Sequence, residues 1–387
     1  MKKTSIYCDY NAGAPVRAEA AVAMSRALAA GGNPSSVHSV GRRARALIED
    51  AREKLAAALG ANAENLILTS GATEALHLGL MGVFGGARPN ARDDDAVAAS
   101  LIVSAVEHDA VFEHATRALG TDRIAPVNAR GIIDLPELRA LLTRSPKPAL
   151  VVLQLANNET GVIQPVTRVA ALCREHGALL MVDAAQAFGR VPVHIADCDA
   201  SYLIVSSHKL GGPPGAGALA LAPGAPFAIS RFGGGQERGR RPGTENMPAV
   251  VGFAVAAEWA LRDLDAETRR LAALRDRFEA GLPADAVVFG RGAPRLPNTS
   301  NFALPELAAE TAVIAMDLEG VAVSSGAACS SGKVRSSRVL AAMGVAPELA
   351  KGALRVSFGH ESKDNDVDQA LVALHKVAAR RAQGAAA

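Results

Sequence analysis

Apolar residues recur along the chain in two patterns, and the stretches that carry them alternate. Between Val40 and Leu59 they recur at helical spacing on one face, and Gly60 suits the position just beyond a helix end. Short apolar runs bounded by polar or turn residues predict buried strands instead. The strands predicted in this way are Leu66–Thr69, Ser100–Ser104, Ala149–Leu155, Leu179–Val182 and Ala200–Val205. Further helices are predicted over Ala18–Ala30, Thr73–Gly82, Ala110–Ala118 and Val166–Glu175.

This alternation of strand and helix predicts an α/β fold with a mostly parallel sheet covered by helices. A long helical stretch, Pro248–Leu282, follows, with a predicted break near Leu264–Glu267. Beyond it, three short apolar runs predict strands of a smaller α+β domain: Asn301–Leu304, Ala322–Ser324 and Leu354–Ser357. A chain of 387 residues can bury two cores. We therefore predict a large domain over residues 16–260 and a small domain that combines residues 1–15 and 261–387.

The composition excludes several classes of protein. A net charge of +2 gives no electrostatic reason to expect binding to nucleic acid or to an anionic membrane. No apolar run is long enough to span a bilayer, and the first residues lack the apolar core of a signal peptide. The four cysteines, Cys8, Cys173, Cys198 and Cys329, lack the paired spacing of zinc sites. Scattered cysteines fit a reducing cytoplasm, where we expect the protein to act.

The most informative polar residues follow two of the predicted strands. Lys209 comes shortly after the apolar run Ala200–Val205 and before the glycine-rich segment 211–217. A lysine at the end of a buried strand, next to a loop that lets a ligand approach, is where a Schiff-base lysine would lie. Asp183 follows the strand Leu179–Val182 and is suited to pair with the pyridinium nitrogen of pyridoxal 5′-phosphate (PLP), which would keep that ring an electron sink. Together, Asp183 and Lys209 indicate a PLP site more strongly than either does alone.

Two further segments at strand ends have both a binding and a structural interpretation. Ser70–Glu74 joins a predicted strand to a predicted helix, where backbone N–H groups and the Thr73 hydroxyl would bind a phosphate. An ordinary helix N-cap explains the same residues, because Ser or Thr satisfies the free amides at any helix start. His108 follows the apolar run Leu101–Val106 and would either stack on a cofactor ring and move protons or be purely structural.

Two glycine-containing segments are equally open to interpretation. Asn157–Gly161 follows another predicted strand, so its amides would point into the crevice where α/β folds bind ligands. Asn and Gly are also the usual residues of a simple turn. Gly233–Thr244 is a basic loop with three arginines, which would cradle a phosphate, order an interface or lie in solvent.

Cys329 and Arg355 are the candidates nearest the C-terminus. Cys329 lies in a run of small residues, Ser324–Gly332, with Lys333 and Arg335 close by. Such surroundings predict an accessible, thiolate-prone cysteine rather than a buried one. Arg355 lies between apolar residues of a predicted strand, so it needs an anionic partner. That partner would be a substrate carboxylate held in bidentate fashion or the acid of a structural salt bridge.

Taken together, these segments resemble the cysteine desulfurases of the NifS/IscS type, within the class V aminotransferase-like, fold-type I PLP enzymes. The matching pieces lie in order over nearly the whole chain: Tyr7–Asn11, Asn33–Ser36 with His38, Ser70–Glu74, Glu107-His108, Asn157–Gly161, Val182–Gln186, Ser206–Lys209, Gly233–Asn246, Ser324–Gly332 and Arg355. Residues 329–334 resemble the longer-looped NifS-like group rather than the SufS-like group. The resemblance implies a large domain with a seven-stranded, mostly parallel sheet, a smaller α+β domain that carries the Cys329 loop, and a homodimer.

The resemblance also implies a role for each matching side chain. Lys209 would hold PLP, Asp183 would pair with the pyridine nitrogen, and His108 would stack on the ring and share proton transfer with Lys209. Cys329 would be the nucleophile, and Arg355 would hold the substrate carboxylate. Gln186 and Asn158 would lie on the side of the phenolic oxygen of PLP, and Asn158 would also face the substrate. The phosphate of PLP would be bound by Ala72, Thr73, Ser206, His208 and the Thr244 of a second subunit.

The implied activity is the PLP-dependent conversion of L-cysteine to L-alanine, with the sulfur left as a persulfide on Cys329. That sulfur would pass to an iron–sulfur scaffold or another acceptor protein, for nitrogen fixation or for general iron–sulfur cluster assembly. Cys329 would contact a cluster only transiently, and no resident metal is expected. Another class V enzyme, such as an aminotransferase or a selenocysteine lyase, is an alternative, and so is a non-catalytic sulfur-transfer partner. Cys329 argues against the aminotransferase, and Lys209, Asp183 and Cys329 together argue against the non-catalytic protein.

Two residues depart from the family pattern. Gly13 stands where such enzymes usually carry Thr or Ser, and Pro214 stands where a Lys often precedes the next glycine. Neither touches the core chemistry, so we expect them to affect the shape of local loops and the fit of the substrate.

Overall fold

A computed structural model describes residues 6–84, 98–229, 231–326 and 337–384 of the chain. The helices within these ranges are α1 (Ala18–Ala30), α2 (Ser39–Ala58), α3 (Ala72–Phe84), α4 (Asp109–Glu113), α5 (Leu135–Arg144), α6 (Val166–His176), α7 (Met247–Arg262), α8 (Leu264–Ala280), α9 (Ala309–Leu318), α10 (Arg338–Ala342), α11 (Pro347–Ala350) and α12 (Asp364–Gly384). The strands are β1 (Ile6–Tyr7), β2 (Leu66–Thr69), β3 (Ser100–Ser104), β4 (Ile124–Ala125), β5 (Ala149–Gln154), β6 (Leu179–Asp183), β7 (Tyr202–Ser206), β8 (Gly217–Leu221), β9 (Val287–Val288), β10 (Thr299–Ala303), β11 (Val321–Ala322), β12 (Ser324–Ser325) and β13 (Ala353–Ser357).

The largest sheet has seven strands in the order β2-β8-β7-β6-β5-β3-β4. Neighbouring strands from β7 to β4 are parallel, whereas β8 runs antiparallel to both β7 and β2. This architecture confirms the predicted α/β fold with a seven-stranded, mostly parallel sheet.

The central strands are apolar at successive positions because both faces of the sheet are covered. Val151 and Leu153 of β5 pack in a cluster with α2, α5, α6 and α7. Leu150 and Val152 of the same strand point to the opposite face and pack with α3 and α4. Side chains alternate between the two faces of a strand, so a strand that is covered on both faces can be apolar at successive positions.

A smaller antiparallel sheet, in the order β12-β13-β10-β9, forms the second part of the structure. Phe302 of β10 and Val356 of β13 pack with apolar residues of α8, α9 and α12 in a separate cluster. The strands β1 and β11 form a short parallel pair beside it. These elements agree with the predicted smaller α+β part, while the domain boundaries 16–260, 1–15 and 261–387 stay a prediction.

Several predicted elements differ from the structure in their bounds. The strand predicted over Ala322–Ser324 is two strands, β11 and β12, because the chain changes its partner at Val323 from β1 to β13. The helix predicted over Ala110–Ala118 is α4 followed by a π-helical turn, His114–Ala118. The break in the long helical stretch falls at Asp263, whose φ and ψ of −125° and 38° interrupt the helix just before the predicted position.

Among the helices of the described residues, none combines the length and the apolar character needed to cross a membrane.

Candidate active site

One cavity of about 470 Å³ lies at the carboxyl edge of the large sheet. Strands β2, β5, β6 and β7 all end there, and ligands of open α/β sheets bind outside this edge. The sequence-predicted residues that line it are Ala72, Thr73, His108, Asn158, Asp183, Gln186, Ser206, His208, Lys209 and Arg355. Thr244 is exposed on its loop and does not line this cavity. Cys329 lies outside the described residues.

Lys209 is positioned by a tight turn rather than by the strand itself. β7 ends at Ser206, and a 3₁₀ turn over Ser207–Lys209 carries the lysine across the sheet edge. The sequence predicts Lys209 at the end of the strand, and the structure places it three residues beyond that end, on the turn. Its Nζ donates to the carbonyl oxygens of Asn11 and Ala12 at 2.6 and 2.9 Å, which hold the amine at the cavity wall.

Asp183 ends β6 and is buried beneath the cavity. Burial raises the pKa of its carboxyl, although the Ala185 amide, which donates to Oδ1 at 2.9 Å, and the charges of His108 and Lys209 oppose that effect. In the described part of the chain, no cation lies within salt-bridge distance of it. A buried carboxyl of this kind is stabilised as an anion when a cationic ligand group binds next to it.

His108 combines a structural contact with a place at the cavity. It is the N-cap of α4, where Nδ1 accepts the Ala110 amide at 3.1 Å. An accepting Nδ1 places the proton of the neutral ring on Nε2. Burial lowers the pKa of His108, and the charge of Lys209 adds to this while Asp183 opposes it. The structural interpretation of His108 agrees with its place as a helix cap, and the cofactor-stacking interpretation agrees with its place in the cavity lining.

A second group of residues that line the cavity is suited to a phosphate. Ala72 and Thr73 begin α3, a helix of 13 residues whose free amides and dipole favour an anion. Ser206 and His208 contribute a hydroxyl and an imidazole, with Oγ and Nδ1 2.9 Å apart. Burial, together with the charges of Lys209 and Arg190, lowers the pKa of His208 to about 4, so its ring is neutral.

Glu74 would oppose a phosphate at this helix start if its charge were free. Its carboxylate instead accepts hydrogen bonds from the Ser70 amide at 2.6 Å and from Arg231 and Arg241. Burial alone would raise the pKa of Glu74, but Arg241 and the Ser70 amide outweigh it and lower the pKa to about 2. The two arginines therefore neutralise the acid at this end of the cavity.

Arg355 satisfies both interpretations of a buried arginine. Its Nη2 donates to Asp9 Oδ1 at 2.6 Å, a structural salt bridge, and its Nη1 donates to the Asn158 carbonyl at 3.0 Å. Its Nε is buried without a hydrogen-bond partner among the described residues. Because Arg355 also lines the cavity, an anionic ligand there would meet a guanidinium that Asp9 and Asn158 already hold in place.

One residue of the Asn157–Gly161 segment stabilises a turn, and another lines the cavity. The Oδ1 of Asn157 accepts the amides of Glu159 and Thr160, both at 2.9 Å, which is the geometry of a turn. Asn158 instead lines the cavity, and its carbonyl accepts hydrogen bonds from Asn11 and Arg355. The turn interpretation therefore holds for Asn157, and Asn158 alone lies where a ligand would bind.

The basic loop 233–244 is anchored rather than free in solvent. Arg52 of α2 holds the buried Glu237 by two hydrogen bonds of 2.7 Å, and the Leu68 amide donates to the same carboxylate at 2.9 Å. Glu237 and Arg238 adopt left-handed backbone angles, with φ of 50° and 57°. Non-glycine residues persist there only when their surroundings fix them, so this anchor sets the path of the loop that ends at the exposed Thr244.

Sequence reasoning missed several residues of the site, above all the role of the Asn11 backbone. The Asn11 carbonyl accepts hydrogen bonds from Lys209 and from Gln186, the latter at 3.0 Å. No local pattern predicts this, because the function belongs to a carbonyl group that every residue carries. Of the two departures from the family pattern, Gly13 has room for a side chain, because an added Cβ would lie 3.8 Å from His208 Cδ2, an ordinary contact. Pro214 lines the cavity.

The three cysteines that the structure describes are unsuited to nucleophilic chemistry. Cys8, Cys173 and Cys198 are buried, and burial raises the pKa of their thiols to about 12, 12 and 11. Ser324, which begins the segment leading to Cys329, pairs in register with Arg355 at the cavity. Across the described ranges, no three His, Cys, Asp or Glu side chains group in a way that would hold a metal.

Comparison with known proteins defines the class first. The aminotransferase class-V family model matches residues 6–370, so the chain belongs to that family. The chain is 36% identical over 382 residues to the cysteine desulfurase IscS of Dictyoglomus turgidum, covering 97% of this chain and 95% of that protein. It is 40% identical over 349 residues to a cysteine desulfurase of Gluconacetobacter diazotrophicus, covering 88% of this chain and 84% of that one.

A solved structure agrees with these relatives. The NifS-like protein from Rickettsia africae superimposes with a TM-score of 0.85 at 30% identity, covering 96% of this chain and 99% of that one. Within the class-V family, the chain therefore belongs to the IscS/NifS-like cysteine desulfurases, which confirms the resemblance seen in the sequence.

Proposed function

We propose that this protein is a PLP-dependent enzyme that converts L-cysteine to L-alanine and carries the released sulfur as a persulfide on Cys329. The observation that supports this proposal best is the convergence of Lys209, Asp183, His108 and Arg355 on one cavity. These residues come from four separate segments of the chain, and each supplies a different chemical function. Membership in the IscS/NifS-like desulfurases supports the choice of substrate.

The residues of the cavity fit PLP at three places. The buried Asp183 would pair with the pyridine nitrogen, the start of α3 with Ser206 and His208 would bind the phosphate, and Lys209 would hold the aldehyde carbon. Gln186 and Asn158 would lie on the side of the phenolic oxygen. When bound, PLP supplies an electron sink for the electrons released at the substrate Cα.

The remaining polar groups would orient the substrate and move protons. Arg355, which lines the cavity, would bind the substrate carboxylate through its guanidinium group, while Asp9 and the Asn158 carbonyl keep that group fixed. Asn158 would also face the substrate. The Lys209 amine would take the Cα proton, and the neutral His108 ring, with its proton on Nε2, would share proton transfer.

Cys329 would act as the nucleophile at the substrate sulfur. Its thiolate would attack that sulfur, the substrate carbon–sulfur bond would break, and a sulfur–sulfur bond would form on Cys329. The electron pair of the broken bond stays with the carbon fragment, which takes up a proton and leaves as L-alanine. One L-cysteine and one protein thiol thus give one L-alanine and one persulfide, so the step needs no external oxidant.

We further propose a homodimer in which Thr244 of each subunit binds the phosphate in the cavity of the other. The exposed position of Thr244 on an anchored loop, away from the cavity of its own subunit, supports this arrangement. The persulfide sulfur would pass in the cytoplasm to an iron–sulfur scaffold or another acceptor protein. That acceptor would belong to an iron–sulfur cluster assembly system, which would serve either nitrogen fixation or general cluster assembly.

The proposal is tested with L-cysteine and a reducing thiol. The parent protein should form L-alanine and sulfide in equal amounts, and Cys329→Ala should form neither while it keeps the visible absorbance of bound PLP. Cys198→Ala is the matched control, since the Cys198 thiol is the least buried of the three described and should not contribute. Undiminished sulfide from Cys329→Ala, or a 2-oxo acid product in place of alanine, would contradict the proposal.

A further inference from the structure

Arg190 is buried, and among the described residues its guanidinium donates hydrogen bonds only to neutral oxygens. Its Nη1 donates to the Gln186 carbonyl at 2.9 Å and also to Gln186 Oε1. Its Nη2 donates to the carbonyls of Tyr10 and Lys209 at 3.1 and 3.0 Å. Throughout the described residues, no carboxylate forms an ion pair with it. Burying a guanidinium without an acid is costly, so a role beyond packing needs to be sought.

The contact with Oε1 fixes which end of the Gln186 amide faces which neighbour. A guanidinium has only donors, so the Gln186 atom that faces it must be the carbonyl oxygen. The amide nitrogen is therefore on the other side, where Nε2 donates to the Asn11 carbonyl at 3.0 Å. Gln186 lines the cavity, so its second Nε2 hydrogen is available as a donor to a ligand there.

The same network includes the backbone and the amine of Lys209. Arg190 holds the Lys209 carbonyl, and the Lys209 Nζ shares the Asn11 carbonyl with Gln186. Arg190 thus fixes Gln186 and Lys209 relative to each other from the side of the protein interior.

We propose that Arg190 is a positioning residue, which locks the Gln186 amide so that it donates a hydrogen bond toward the phenolic oxygen of the PLP held by Lys209. This inference rests on the proposed function for the identity of the ligand. The orientation of the Gln186 amide itself does not depend on any ligand, because Arg190, Gln186 and Asn11 determine it.

The first test is a pH titration of the visible absorbance of the PLP-loaded protein. A donor at the phenolic oxygen stabilises the form in which the Lys209–PLP linkage has lost its proton, so losing that donor raises the titration midpoint. We expect Arg190→Met to raise the midpoint by about one pH unit. Gln186→Glu, which keeps an acceptor for Arg190 but loses the donor, should raise it at least as much.

The charges of Asp183 and His108 act on Lys209, and both residues are kept in these variants together with the neutral His208. Arg190→Met also removes the Arg190 cation beside Lys209, and the orientation of the Gln186 amide in a neutron structure separates this charge effect from the loss of the donor. Arg190→Lys keeps a donor for Gln186 Oε1 and should titrate close to the parent. A purely structural role would lower the unfolding temperature of Arg190→Met and leave its midpoint unchanged. An unchanged midpoint in Arg190→Met would overturn the inference, whether or not the midpoint is raised in Gln186→Glu.

The second test uses the parent without PLP and needs no variant to fold. A neutron crystal structure should show the hydrogens of the Gln186 amide on the atom facing Asn11, with the bare oxygen facing Arg190. The reverse orientation would overturn the inference. A parent that binds PLP with no visible band would instead contradict the proposed function, and the neutron result would still decide the orientation.

Discussion

Arg355 Nη2 donates to Asp9 Oδ1 at 2.6 Å, while the Nε of the same guanidinium is buried and has no partner in the described part of the chain. The ion pair joins β13 to the segment that follows β1, and it holds the guanidinium plane at the cavity wall. A planar fork that is already oriented loses little conformational freedom when it binds a carboxylate. The salt bridge therefore prepares Arg355 for binding rather than competing with it.

Replacement of Arg355 should mainly weaken substrate binding. In Arg355→Lys the charge remains, but a single ammonium cannot reproduce the directed guanidinium donors. We expect KM for L-cysteine to rise by about ten- to a hundredfold, because a charge-assisted hydrogen bond contributes about 1.5–3 kcal/mol. Steady-state kinetics on the PLP-loaded variant measure this effect. Arg139→Lys, at an exposed pair with Glu175, is the control, and an unchanged KM in Arg355→Lys would refute the assignment.

Gly217 should be required for the phosphate end of the cavity. A Cβ at Gly217 of β8 would lie 2.6 Å from both the Cα and the carbonyl carbon of Gly71, which precedes α3. Backbone atoms cannot move aside as a flexible side chain can, so Gly217→Ala should displace the start of α3. We expect the dissociation constant for PLP to rise at least about tenfold, measured by fluorescence titration of the cofactor-free protein.

Gly82→Ala is the matched control for that variant. Gly82 lies near the far end of α3, where an added Cβ would meet the Phe227 ring at 2.3 Å. This change should lower the unfolding temperature without weakening PLP binding. Equal PLP affinity in Gly217→Ala and the parent would show that the approach of β8 to Gly71 does not shape the site.

Glu159 should make stability depend on pH. It is buried and accepts a hydrogen bond from Ser337, the N-cap of α10. Burial raises its pKa from 4.5 to about 7, against the opposing effects of Ser337 and Arg355. The folded protein therefore keeps a proton that the unfolded chain releases. This contribution to stability is complete below the unfolded pKa of 4.5 and is lost as the pH rises through about 7.

Glu159→Gln mimics the protonated acid and should remove this dependence. Relative to the parent, the free energy of unfolding of the variant should increase by about 2–3 kcal/mol between about pH 4.5 and pH 8. Urea unfolding at several pH values measures the difference, in which the effects of other buried acids cancel. A difference that stays constant over this range would contradict the raised pKa of Glu159.

The sequence predicts the central sheet well because its strands are buried on both faces. Runs such as Leu150–Leu153 can only be strands of a covered sheet or interior helices, and the turn residues around them favour strands. The strand β8, Gly217–Leu221, was missed because Gly and Ala carry no strand signal. Gly217 lets the segment before α3 approach β8 closely, because an added Cβ would lie 2.6 Å from the Gly71 backbone, and no local pattern shows this tertiary requirement.

Some residues of the candidate site can also be predicted from the sequence, and others cannot. Lys209, Asp183 and Arg355 stand out in the sequence, since a charged side chain beside an apolar strand needs a binding partner. Asn11 and Arg190 do not stand out in the sequence. Asn11 acts through its backbone carbonyl, and Arg190 acts through contacts with residues that are far away in the chain. Such groups become visible only when the fold brings their partners together.

Reduction of the PLP-loaded protein with borohydride, followed by peptide mass spectrometry, tests the central claim most directly. The Lys209 amine lies at the cavity wall beside Asn11, so we predict that the cofactor is trapped on the peptide that contains Lys209 and on no other. Lys209→Ala should give no trapped cofactor. PLP attached to a different lysine, with Lys209 unmodified, would contradict the account.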